Sequence, residues 1–457
     1  MKSNQLYRRR FLAVSGGAAA AASFQAFTCR SANQGEEGAL RSASESSGVG
    51  YGPLEPVRDE TTGLPLLHLP PGFRYISFGW QGDRLDDGSP TPASHDGMAA
   101  FEAEGGRIRL VRNHEIRAGS AFSDDPVYDG SAGGGTTTIE FDPSSGAAVS
   151  AWPSLAGTAM NCAGGPTPWG TWLSCEETVE GPGGENGFTL PHGYVFEVPL
   201  AGTAKAEPYR AMGRFVHEAV SIDPESGIVY QTEDRLTAGL YRFLPNETGR
   251  LAAGGRLEML ALSDRPGADT RTGQQAGHWE PVHWVPIEDP DPDPIDTSSV
   301  YSQGVQNGAA TFGRLEGTWS GNGRIYVVST NGGDAKAGQV WEYDPSATRI
   351  RLLYESPGAE VLDMPDNICV SPRGGLVLCE DGDGEDHVRG LTADGAIFPF
   401  AKNNVILAGE RNGLEGEFLE QEFAGATFSP DGNWLFFNVQ TPGISFAVTG
   451  PWGERLI

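Results

Sequence analysis

A two-part signature returns about six times between residues 90 and 450, and it constrains the fold more than any other feature of the chain. Each copy opens on a polar or acidic dipeptide, runs through a short apolar strand, turns at a glycine and climbs a second strand. The openings are His95-Asp96, Asn161-Cys162, His217-Glu218, Leu315-Glu316, Asp366-Asn367 and Ala424-Gly425. The matching second positions are His114-Glu115, Glu176-Glu177, Glu233-Asp234, Thr330-Asn331, Glu380-Asp381 and Phe437-Asn438. Short strands recurring in this way mark a radial all-β array, in which equivalent positions of every unit face one axis. The pattern predicts an all-β, six-bladed β-propeller with its acids gathered at the mouth of the central channel.

The rest of the chain agrees. Strand signals are short and alternating, as in Ile108-Arg109-Leu110-Val111 and Trp172-Leu173-Ser174-Cys175, with Asp-Pro and Pro-Gly turns between them. Long segments of helical period are missing beyond the N-terminus. Two packed sheets could use the same strands but would not explain a six-fold recurrence. Between the third and fourth units, residues 247–305 are expected to form a long acidic and proline-rich loop. Alternating Asp and Pro from Ile287 to Asp296 cannot pair in a sheet. Such a loop would either shape substrate access or decorate the surface.

Residues 1–30 have the layout of a twin-arginine export signal: Arg8-Arg9-Arg10-Phe11-Leu12, then a weak Ala- and Gly-rich apolar stretch to Ala26-Phe27. Tyr7 departs from the usual Ser or Thr. The stretch is too short and weak for a membrane span. Cys29 follows it, but Ala26-Phe27-Thr28 makes a poor lipobox, which weighs against lipidation. Residues 31–50 read as a flexible linker and 51–457 as a single propeller domain. A protein exported in the folded state through the twin-arginine machinery would work in the periplasm or outside the cell, and a monomer is expected.

Sixty acidic residues against 32 basic ones give a formal net charge of −28. Such a surface repels nucleic acid and anionic membranes and suits cations. Acidity also keeps exported or salt-adapted proteins soluble, but solubility does not explain acids in register. The candidates for the mouth are Asp96, Glu115, Cys162, Glu176, Glu177, Glu218, Glu233, Asp234, Glu316, Asp366, Glu380 and Asp381. Carboxylates this crowded need cations to stay ionised. Oxygen ligands suit calcium, and a thiolate among them points to a transition metal such as iron. The bland alternative is that Glu-Asp-Gly is ordinary turn chemistry.

Cys162 stands at an axial opening position, unlike Cys175, Cys369 and Cys379. Cys162 and Cys175 fall on the two adjacent strands of one unit and Cys369 and Cys379 on those of another, where cross-strand bridging is imaginable but geometrically demanding. His114 and His217 precede acids, so alternation turns them away from the axis. Arg314 lies two residues before Glu316, either as a clamp for phosphate oxygens or as the ion-pair partner of Glu316. The chain contains neither G-x-S-x-G nor H-E-x-x-H, which disfavours serine or mononuclear zinc hydrolysis.

Nearly the whole mature chain resembles the PhoX-type alkaline phosphatase family. The resemblance is carried by Asn161-Cys162-Ala163-Gly164-Gly165-Pro166, Cys175-Glu176-Glu177, Gly213-Arg214-Phe215-Val216-His217-Glu218-Ala219 and Thr232-Glu233-Asp234-Arg235. It is also carried by Arg314-Leu315-Glu316-Gly317, Asp366-Asn367 and Cys379-Glu380-Asp381-Gly382. It implies an iron–calcium cluster at the mouth and hydrolysis of small phosphate monoesters by metal-assisted phosphoryl transfer, without a side-chain nucleophile. It makes Cys162 an iron ligand, places Glu218 and Glu316 among the iron or calcium ligands, and has Arg314 grip phosphate. Two other readings stay open: a calcium-dependent propeller hydrolase of another ester, and a non-catalytic propeller stabilised by calcium.

Overall fold

The computed structural model describes residues 49–293, 295–296, 298–453 and 456–457. The proposed export signal, most of the linker and Cys29 lie outside the described residues.

The fold is all-β and propeller-like, with antiparallel sheets following one another along the chain. The innermost strand of each unit is short: His95–Glu102, Asn161–Pro166, His217–Ile222, Leu315–Gly321, Pro365–Val370 and Phe423–Phe428. Each lies beside the next in that order, and the last returns to the first. Closure joins the two ends of the described chain. Arg74–Phe78, from before the first unit, pairs antiparallel with Ile444–Thr449 and completes the last sheet.

Apolar side chains on both faces of each sheet place the core between neighbouring sheets. Ala99, Val111 and Leu155 of one sheet meet Trp172, Phe196 and Val198 of the next. The same layering recurs between Leu173 and Val220, and between Phe141 and Phe436. Trp319 packs against the first of these layers and against two further apolar clusters, and it lines the axial space with Gly97, Met98, Ala163, Trp172 and Ile368.

The segment 247–305 is not the long loop expected of it. Gly255–Leu262 pairs with Leu240–Pro245, and Glu280–Pro286 pairs in turn with Gly255–Leu262. Glu280 and Pro281 then meet Ile350 and Arg349, so one nine-stranded sheet joins the third and fourth units. Ser299–Gln306 adds a helix, seated by Val300 against Met259 and Tyr241. The Asp-Pro run keeps its expected character, with neither strand nor helix from Ile287 to Asp293, and residues 263–279 also stay outside strands and helices. The alternation in Arg256-Leu257-Glu258-Met259-Leu260 was the strand signal beside it.

Candidate metal centre

Every inner strand carries the same local device. The ladder between first and second strands breaks register immediately after the opening residue: between His95 and Met98, Asn161 and Gly164, and His217 and Val220. It breaks again between Leu315 and Thr318, Pro365 and Ile368, and Ala424 and Thr427. Two residues face one across each break, which is a β-bulge, and a bulge re-aims the side chain it carries. The bulged residues are Asp96, Cys162, Glu218, Glu316, Asp366 and Gly425. In the fifth unit the opening is therefore Pro365-Asp366, one residue earlier than the motif suggested.

A backbone bond then closes each hairpin at the mouth. The N–H groups of Glu115, Glu177, Asp234, Thr330, Asp381 and Gln440 donate to the carbonyls of Ser94, Met160, Val216, Arg314, Met364 and Glu422. Ser94, Met160, Arg314 and Met364 hold positive φ, between 38° and 51°. Backbone that few side chains tolerate is thus concentrated where the acids converge.

Four overlapping groups of donors result, each with one donor atom per residue and all such atoms within 4.8 Å of one another. They are Asp96, Glu115 and Cys162; Cys162, Glu177 and Glu218; Glu218, Glu316 and Asp366; and Asp366, Asp381 and Glu422. Because neighbouring groups share a residue, the chain of donors passes through every unit. The sixth unit has Gly425 at its bulge and contributes differently. Its ladder runs one residue further, pairing Phe423 with Val439. That extension brings in Glu422, and Gln440 Nε2 reaches Asp96 Oδ2 at 3.0 Å and Glu115 Oε2 at 2.7 Å. Glu422 was not legible from the repeat, since the expected position in its unit holds glycine.

Other candidates are held elsewhere. Glu176 accepts from Ala159, Gly193 and Tyr194 N–H and pairs with His192, itself beside Asp129. Glu233 accepts from Gly239 N–H and Tyr241 Oη, and Glu380 from Asp363 and His387 N–H and from Arg389. In each acidic pair the first carboxylate ties down its own sheet's loops and the second points to the mouth, as strand alternation requires. His114 follows the same rule, bonding to Ala93 O and Thr137 Oγ1. His217 stacks on Phe215 and bonds to Gly213 O, and its burial pushes its pKa down to about 3.

Asp234 bears on the mouth through Arg314. Its two oxygens accept from Nε and Nη2 of Arg314 at 2.9 Å each, and the same Nη2 contacts Glu316. Burial alone would lower the Arg314 pKa, but Asp234, Glu316 and Asp381 raise it well above normal. Both readings of Arg314 therefore begin from an ion pair.

The donor set fits cations. Glu218 is fully buried, and neither of its carboxylate oxygens has a hydrogen-bond partner. Burial, then Glu316 and Asp366, hold its carboxyl pKa well above the usual range. Cys162 is pushed up by burial and by Asp96 and Glu218. Desolvated anions held together in this way are resolved by bound positive charge. Carboxylate oxygens match calcium, and the Cys162 sulfur adds a ligand suited to iron. Cys175, Cys369 and Cys379 are buried thiols within the sheets, and the described residues contain no disulfide.

The family model for alkaline phosphatase PhoX matches residues 49–149 and 134–443. The chain belongs to the alkaline phosphatase PhoX family. Members are phosphoric monoester hydrolases, and this PhoX-family chain is a phosphatase by that membership. Among solved structures it is similar to Pseudomonas fluorescens PhoX in complex with vanadate, a transition state analogue. The identity is 16%, the TM-score 0.63, and the match covers 88% of this chain and 98% of that one, which shows a shared fold. A gluconolactonase from Xanthomonas campestris matches at 13% identity and TM-score 0.41, covering 88% and 99% of the two chains. Virginiamycin B lyase from Staphylococcus aureus matches at 11% and 0.38, covering 82% and 99%. No curated protein matches the sequence.

Proposed function

We propose that this chain is an exported, metal-dependent phosphomonoesterase that acts as a monomer, a six-bladed propeller whose mouth binds calcium and iron together. The four linked donor groups carry this reading. Cys162 would hold iron with Glu218, and Asp96, Glu115, Glu177, Glu316, Asp366, Asp381 and Glu422 would complete the iron and calcium sites. Bound there, the cations would offset the charge of a phosphate ester and activate a water for attack on phosphorus.

The chain's own residues would do the positioning. Asp234 holds the Arg314 fork through Nε and Nη2, which fixes the guanidinium plane. The nitrogen we assign to a phosphate oxygen is Nη1. Charge that grows on the equatorial oxygens during transfer would strengthen that bond and make it catalytic. Asn367 donates to Asp366 Oδ1 at 2.7 Å and accepts from Gly425 N–H, orienting one carboxylate of the floor.

The test is elemental analysis of protein exported in its folded state, beside a phosphomonoester assay with calcium. Iron and calcium in the protein, with release of inorganic phosphate, are expected. Metal-loaded protein that hydrolyses no phosphate ester would overturn the proposal.

A further inference from the structure

The bulges of neighbouring units touch. A methyl group added at Gly97 would lie 2.5 Å from Ala163 Cα and 3.0 Å from Cys162 O, so the first unit's bulge can sit there only as glycine. Gly317 stands in the same relation to Asp366 O, at 2.6 Å. Close backbone approach lets a polar side chain of one unit reach the bulge of the next. Asn438 Nδ2 donates to Asp96 O at 2.7 Å, Asn113 Nδ2 to Cys162 O at 3.1 Å, and Thr232 Oγ1 to Glu316 O at 2.5 Å. In all three the acceptor is the carbonyl of the residue whose side chain faces the mouth.

Asn113 is the most fully committed of these. It is completely buried and stands alone opposite the first unit's bulge. Its amide nitrogen donates to both bulge carbonyls of the second unit, Cys162 O and Ala163 O, the latter at 2.7 Å. Its amide oxygen accepts from Trp172 Nε1 at 2.9 Å and Ser174 Oγ at 3.0 Å. An indole N–H can only donate, so the amide oxygen must face Trp172 and the nitrogen must face the two carbonyls. All four hydrogen-bonding positions of the amide are used.

We infer that Asn113 is a positioning residue that sets the direction of the Cys162 sulfur, an inference resting on the reading of Cys162 as an iron ligand. Cys162 lies in a bulge, where the ladder does not fix the backbone, and Asn113 supplies the missing constraint from the neighbouring unit. Partners behind a metal ligand typically govern affinity by about 10–100-fold.

Iron titration of the metal-free protein tests this, with the thiolate-to-iron charge-transfer band as the readout and circular dichroism reporting the fold. The parent should develop a band that Cys162→Ser lacks. Asn113→Asp keeps the acceptor for Trp172 but turns an acceptor on two carbonyls. It should bind iron about tenfold or more weakly, with a shifted or weakened band. Asn113→Thr, which copies Thr232 with a single donor, should fall between Asn113→Asp and the parent, and it carries the test alone if Asn113→Asp does not fold. A folded Asn113 variant with the parent's band and affinity overturns the inference while leaving Cys162 a ligand. A band unchanged in Cys162→Ser overturns the ligand reading and the inference with it.

Discussion

Arg314 and Asp234 meet as a two-point fork, Nε to Oδ1 and Nη2 to Oδ2, both at 2.9 Å. The pair lies beside Glu316, so Arg314 is the cation that the chain itself places among the mouth acids. Losing a charged bond that tightens in the transition state costs on the order of 3 kcal/mol, roughly a hundredfold in turnover. Arg314→Ala should lower phosphomonoester hydrolysis by about that factor and weaken inhibition by inorganic phosphate. Its calcium affinity should be equal or higher, because Glu316 and Asp234 lose their counter-charge. Arg314→Lys should recover part of the turnover, since an ammonium cannot copy the fork. Steady-state kinetics beside a calcium titration decide it; parental turnover in both variants would leave Arg314 a plain ion-pair partner.

Glu176 and Glu177 are adjacent in sequence and opposite in role. Breaking the buried Glu176–His192 pair should cost about 3–5 kcal/mol, so Glu176→Gln should unfold at a clearly lower temperature in chelator. Glu177→Gln should keep the parent's thermal stability in chelator and lose calcium affinity instead. Thermal unfolding and calcium titration of both variants would show the reverse pattern if alternation had been assigned the wrong way round.

Much of this was legible in the repeat, and the misses have physical reasons. The opening positions predicted Asp96, Cys162, Glu218, Glu316 and Asp366, and the structure gathers all five, because the bulge lies at the same place in every unit. The second-strand pairs mislead when read as pairs. Alternation separates Glu176, Glu233 and Glu380 from Glu177, Asp234 and Asp381, just as it separates His114 from Glu115. Glu422 escapes because its unit extends the ladder by one residue. The strands Gly255–Leu262 and Glu280–Pro286 were masked by the Asp-Pro run after them. Asn113 could not be read from sequence, since its partners belong to the neighbouring unit and meet it only when the ring closes.

Cys162→Ser should lose iron while the sheets persist, because one ligand atom is exchanged within a hairpin that the ladder still holds. Elemental analysis and circular dichroism should separate the two effects. Full iron content in the folded variant would make Cys162 structural.

Asp129, which lies beside His192 and belongs to none of the donor groups of the mouth, provides a pH test. Burial raises its pKa, but Ser131, Leu190 and Thr189 donate to its carboxylate and bring it below the ordinary value. A depressed folded pKa adds stability above the unfolded value of about 3.9 and loses it as pH falls through the folded one. Asp129→Asn should therefore unfold at a lower temperature than the parent at pH 7, with the gap narrowing as the pH drops below about 4. A gap independent of pH would show that the contribution is not one of charge.

Calcium add-back tests the central claim most directly. Protein stripped with excess chelator and then titrated with calcium should regain phosphomonoester turnover in step with calcium bound, while its fold persists throughout. Turnover that continues in excess chelator, or stays absent in protein loaded with both metals, would contradict a metal-dependent phosphatase centred on the mouth acids.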